Sequence, residues 1–226
     1  QTGSNLSTAE IQFAIAYGNK LGSGSAFYNP LVTNQSPSKS TYGQYQSLVI
    51  GDENTEFVFA GVSSPDFYVI SIDRNRYKEK LLPGSLSLAL SGSLRTINLT
   101  DDSQVTTTIS FNDAGRVFNL VSGSLGTVVT STASGYSTSA GSYGWLLPDI
   151  GTLILNATAL SASIGLVPNR TYNSDGLNNQ LLYKAISGSN AKSFKLNNEE
   201  TISSDYAFIR ARNSEFNYSE NPSFIS

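Results

Sequence analysis

The chain has 226 residues, a formal net charge of −3 and 14% charged residues, and it contains no His, Cys or Met. Those absences remove imidazole bases, thiolate nucleophiles, disulfides and His- or Cys-ligated metals. A charge-poor, weakly acidic chain also lacks the electrostatic footprint of a direct nucleic-acid binder.

Hydrophobic residues make up 39% of the chain, with 12 Tyr and 11 Phe, so a core can be built. No apolar run approaches the ~20 residues of a membrane-spanning helix, and no membrane partner is expected. The lack of Met predicts a processed product or a piece of a longer chain.

Ser7-Thr8-Ala9-Glu10 has the form of a helix capping box. Ile11, Phe13, Ile15 and Tyr17 then alternate strictly, which is a strand period, and their aromatic and β-branched character favours strand over helix. Gly22-Ser23-Gly24-Ser25 ends the segment. Residues 29–41, polar and interrupted by Pro30 and Pro37, read as an extended arm. Strand-like segments follow at 45–50, 56–60 and 66–72, with a turn at Gly51-Asp52-Glu53-Asn54. The densest charge cluster, 74–80, leads to a turn at Pro83-Gly84. Leu86, Leu88 and Leu90 alternate with Ser and Ala, as in a half-buried strand. Further strands are expected at 96–99, 105–111 and 116–121.

The Gly- and Ser-rich stretch 122–144 reads as an exposed loop or internal linker with a short strand at Val128-Val129. Strands resume over 144–155, broken at Pro148-Asp149. Residues 157–163 read as a short helix. A second is expected over 177–186, where Leu177, Leu181, Leu182 and Ile186 lie near helical spacing and Gly188 stops it. Strands at 194–196 and 206–211 precede a polar tail. Together these elements predict a mainly β, antiparallel β-sandwich-like domain with one or two short helices and extended polar arms. The expected units are an N-terminal strand and arm (1–44), a core (45–212) with a candidate division near 122–144, and a tail (213–226).

No residue set points to a cofactor. The adjacent carboxylates Asp52-Glu53, Asp101-Asp102 and Glu199-Glu200 point to opposite faces of an extended chain, and turns attract Asp for hydrogen bonding alone. They are read as solvated turns; an acid-pair hydrolase would need two carboxylates facing across a cleft. Without His there is no Ser-His-Asp triad, and Gly141-Ser142-Tyr143-Gly144 does not match a nucleophile elbow; a Ser-Lys pair stays formally open. Asn173-Ser174-Asp175-Gly176 has part of a calcium loop but lacks the further ligands. Asn-X-Ser/Thr triplets, including that at Asn156, arise readily in so Asn-rich a chain and are uninformative. The basic cluster Arg74, Arg76, Tyr77 and Lys78 reads as an inter-subunit ion-pair surface or a solvated strand end. Arg210 and Arg212 alternate on one face, opposite Ile209 and Ala211, and the tail spaces out Phe216, Tyr218 and Phe224.

Two segments go beyond composition. Residues 70–84, Ile-Ser-Ile-Asp-Arg-Asn-Arg-Tyr-Lys-Glu-Lys-Leu-Leu-Pro-Gly, resemble a segment in large virion structural proteins of contractile-tailed, T4-like phages, especially those of marine cyanobacteria. Residues 208–224, which begin Phe-Ile-Arg-Ala-Arg, do so too, and Gly141-Ser142-Tyr143-Gly144 with Leu147-Pro148-Asp149 and Gly151 fits the same pattern. The resemblance implies a non-enzymatic particle component in the tail, baseplate or neck, drawn from a longer protein. Its partners would be other virion proteins and further copies of itself, forming a homo-oligomer. Arg74, Arg76, Tyr77, Lys78, Arg210, Arg212, Phe216, Tyr218 and Phe224 are then the expected assembly contacts. Tyr and Phe supply contact area at low entropic cost, and Ser, Asn and Thr supply adaptable hydrogen bonds. A carbohydrate-binding or adhesive β-domain is the alternative reading, since Tyr- and Asn-rich loops suit sugar stacking.

Overall fold

The two most continuous apolar runs, Asp-Phe-Tyr-Val-Ile-Ser-Ile and Thr-Leu-Ile-Leu-Asn, become strands covered on both faces, and the sheet extends outward from them. A computed structural model describes residues 10–26, 31, 36–171, 176–188 and 194–210. In chain order these contain β1 (Phe13–Asn19), α1 (Pro37–Val49), β2 (Val58–Phe59), β3 (Val62–Ser63), β4 (Asp66–Ile72), a 3-10 turn (Arg74–Arg76) and β5 (Lys80–Leu81). Then come β6 (Ser87–Ser91), β7 (Thr96–Asp101), β8 (Ser110–Asn112), β9 (Gly115–Ser124), β10 (Thr127–Val128), β11 (Gly144–Leu147) and β12 (Thr152–Asn156). The last elements are α2 (Ala157–Ile164), α3 (Leu177–Ser187), β13 (Phe194–Lys195) and β14 (Asn198–Glu199).

The main sheet has ten strands in the order β1-β4-β12-β11-β9-β7-β6-β13, with β8 and β10 also paired to β9. All the ladders are antiparallel. The sheet curls until its outer strands approach: the rings of Phe13 on β1 and Phe194 on β13 lie 5.2 Å apart, edge to face. Helix α3 touches both β1 and β6 across the same seam. The result is a mainly β, antiparallel, sandwich-like fold.

Side chains of β4 alternate between two cores. Tyr68 and Ile70 face the interior of the curl, where they meet Leu88, Leu90, Leu99 and Leu120 from the opposite half. Phe67 and Val69 face outward into a second core with Ile154, Leu147, Phe57, Phe59 and the α1 residues Tyr42 and Val49. This outer core is an aromatic stack. Phe67 lies 4.7 Å from Phe57 and 5.2 Å from Tyr42, and Trp145 lies 4.9 Å from Phe59.

Helix α1 corrects the sequence reading, which made 29–41 an arm and 45–50 a strand. Ser36 caps it by accepting from the Lys39 amide, and Pro37 occupies the first turn, where its missing N–H costs nothing. The buried positions are Ser38, Tyr42, Gln46 and Val49. That spacing is helical, but two of the four side chains are polar, so the hydrophobic stripe is invisible in sequence. The expected boundary at residue 44 falls inside this helix. With α2 and α3 where the sequence places them, the described residues hold three short α-helices.

Other segments differ in detail. Of 105–111 only Ser110 and Phe111 join a ladder, as the first two residues of β8. The stretch 122–144 leaves from β9 and returns as β11, and those two strands pair directly (Gly144 with Leu120), so it is an excursion from one sheet. Gly144 has φ +144°, and a Cβ there would stand 2.0 Å from the Ile154 carbonyl, which explains the glycine at this crossing. Residues 201–210 pair with no strand and are exposed, against the strand expected at 206–211; Ala211 lies outside the described residues.

Candidate functional site

The charge cluster after β4 is bound into its own molecule. Asp73 caps the 3-10 turn by accepting from the Asn75 amide at 2.8 Å. Arg74 donates to the Tyr77 carbonyl at 2.7 Å and stacks 4.6 Å over the Tyr77 ring. Tyr77 itself is 8% exposed and belongs to the inner core, so its contact area is used inside the chain and not at the surface expected from sequence. Arg76 pairs with Glu10 at 2.6 Å, and Lys78 with Glu200 at 2.5 Å. Arg116 joins Asp149 at 2.8 Å and Glu199 at 2.9 Å. Burial alone would push the Asp149 carboxyl up, but the Arg116 side chain and amide, with Lys80 nearby, hold it below the ordinary carboxylate value. The Arg76–Glu10 and Lys78–Glu200 pairs fasten the residues just before β1 and just after β14 to the 74–80 segment. Arg210 is exposed, while Arg212, Phe216, Tyr218 and Phe224 lie outside the described residues.

Several buried polar groups are held by hydrogen bonds within the fold. Asp66 is fully buried; it accepts two bonds from Arg170, at 2.7 and 3.1 Å, and one from the Tyr17 hydroxyl at 2.9 Å. Burial, followed by the Asp66 charge, raises the Tyr17 hydroxyl far above its ordinary value. Asp101 and Asp102 are not the solvated turn that the sequence suggests. Asp101 is fully buried and accepts from the Gly84 amide at 2.7 Å. Asp102 accepts from the amide and side chain of Asn119 at 2.9 and 3.1 Å, while burial keeps its carboxyl above the ordinary value. Asp52 does sit in an exposed turn, accepting from Asn54 and Thr55. Among the described residues no three His, Cys, Asp or Glu side chains gather as a metal site. The calcium-like segment at 173–175 lies outside the described residues.

Two surface features escaped the sequence. The first is a groove of about 830 Å³ where the seam between β1 and β13 opens. Ile11, Phe13, Tyr77, Tyr183, Phe194 and Leu196 line it, with Glu10 and Arg76 at its rim. Ile11 is 70% exposed there. The second is the segment 201–210, which leaves the body after β14 carrying Ile202, Tyr206, Phe208 and Ile209 at 80%, 82%, 97% and 91% exposure. The strand-like apolar run over 206–209 was readable, but the lack of a partner strand was not. Trp145, by contrast, is half-buried among Phe57 and Phe59 and offers no open platform.

Comparison with protein-family models, with curated proteins and with solved structures finds no match to this chain.

Proposed function

We propose that this chain is a non-enzymatic structural component of a tailed-phage particle, working through protein–protein contacts in the tail, baseplate or neck. The observation that carries this reading is the 201–210 segment. Four large apolar side chains stand in water beside the β body, three of them within 206–209, and exposed apolar surface of this kind marks an interaction site. The low charge of the chain fits a surface made to meet other proteins. The resemblance of residues 70–84 and 208–224 to virion proteins supplies the setting.

The test is direct. An antibody raised against the purified chain should label a fixed position on intact phage particles in electron micrographs, and its peptides should persist through density-gradient purification. Purified, infectious particles free of the chain would refute the proposal. A glycan array run with the same protein separates the adhesive alternative, which predicts saturable sugar binding lost on substitution of exposed Tyr183 or Tyr206.

A further inference from the structure

We propose that residues 201–210 of one copy lie in the seam groove of a second copy, adding a strand beside β1. The inference rests on the assembly role proposed above and names its contact. β1 pairs with β4 along its whole length, and among the described residues no strand occupies its other edge. An unpaired edge is a template for an incoming strand, with main-chain bonds giving affinity and side-chain pockets giving specificity. The groove beside this edge is mixed: Ile11, Phe13 and Ile15 supply apolar surface at alternate positions, and Glu10, Gln12 and Arg76 supply polar groups beside them. The arm matches that period: Tyr206 and Phe208 share one face, with Ala207 and Ile209 on the other.

The arm's own groove is not its destination. Phe194, Leu196 and Asn198 already line it from the same chain. The following residues are then carried off: β14 pairs with β5, Lys78 holds Glu200, and the Thr201 amide donates to Glu79 at 3.2 Å. A second copy presents the same groove with nothing to redirect the arm.

The experiment uses the full chain with a photoreactive benzophenone amino acid in place of Phe208, prepared in isotopically heavy and light forms and mixed. Irradiation should give heavy–light cross-links from position 208 to 11–15 or Tyr183. Sedimentation should show Phe208→Asp and Ile11→Asp each weakening self-association by at least roughly tenfold, as expected for losing one buried large apolar side chain. Both sites are exposed, so both variants fold. Phe208→Asp combined with Ile11→Lys should associate more tightly than Phe208→Asp combined with Ile11→Asp, as facing charges of opposite and like sign require. Cross-links confined to one copy, cross-links to 1–9 or to surfaces outside the groove, or none at all would overturn the exchange. If such a result came with the chain present in purified particles, it would remove the exchange and leave the particle role standing. Heavy–light links in a chain absent from particles would do the reverse.

Discussion

Asn156 is the residue whose replacement tests the reasoning most sharply. It ends β12 and begins α2, fully buried, and every hydrogen-bonding position of its amide is used. Its oxygen accepts from the Thr158 and Ala159 amides at 3.1 and 3.2 Å, capping the helix. Its nitrogen donates to the Ala140 and Ser142 carbonyls at 2.9 and 3.0 Å, pinning the end of the 125–143 excursion. Asn156→Ala removes the cap, worth ~1 kcal/mol. It also orphans the buried Ser142 carbonyl at ~1–3 kcal/mol, with a smaller cost at the more accessible Ala140, for a total of about 2–5 kcal/mol. Asn156→Asp is the informative contrast. It keeps the cap acceptor but turns the donor into an oxygen facing two carbonyls, so it should destabilise at least as much at neutral pH. Part of that loss should return on acidification, when the carboxyl can donate. Urea unfolding followed by the fluorescence of Trp145, the sole tryptophan, reads both. A loss of only ~1 kcal/mol for Asn156→Ala, the cap alone, would refute the double role. So would an Asp variant as stable as the parent at neutral pH.

Three further outcomes follow from the same structure. Arg170→Ala strips the buried Asp66 of its cation and should cost ~3 kcal/mol or more by urea unfolding, whereas breaking the exposed Lys78–Glu200 pair should leave the urea midpoint nearly unchanged. Phe67→Ala opens the centre of the outer aromatic stack and should cost ~3–5 kcal/mol. It should also shift Trp145 emission, because Phe57 lies against both rings. The Asp149 carboxyl is held low in the folded chain, so its contribution is present above the unfolded value of ~3.9 and disappears as pH falls through the lower folded value. Asp149→Asn should therefore flatten the acid limb of stability against pH; an unchanged limb would show that the Arg116 contact contributes nothing.

Much of the fold was legible because the chemistry was local. The alternation of Phe13, Ile15 and Tyr17, the apolar run of β4 and the leucines of β6 each announce a strand, and Gly188 marks the end of α3. Asn156 shows a signal present but misfiled: an Asn before Ala-Thr-Ala-Leu is a helix cap, although Asn-Ala-Thr also spells a glycosylation triplet. Its burial in the folded chain decides the matter. Helix α1 was missed because its inner face uses Ser38 and Gln46, whose side-chain partners (the Ser25 hydroxyl and the Thr55 carbonyl) come from elsewhere in the chain. Tyr77 was read as a surface aromatic because its neighbours are charged. Only the close approach of Gly151 to its ring reveals the pocket it fills. The groove was illegible for the same reason: its walls come from segments nearly the whole chain apart.

The order of strands in the main sheet has a consequence for synthesis. β12 and β11, from late in the chain, lie between β4 and β9, which are both made earlier, and β13 closes the far side. An emerging polypeptide cannot complete this sheet by adding neighbours in turn; β4 waits for β12 across some eighty intervening residues. Such distant pairings form slowly, because loop closure precedes any contact. The sheet therefore becomes continuous only once β12 exists; β6, β7 and β9 can pair with one another earlier, while the edges of β4 and β9 that flank the gap stay open until then.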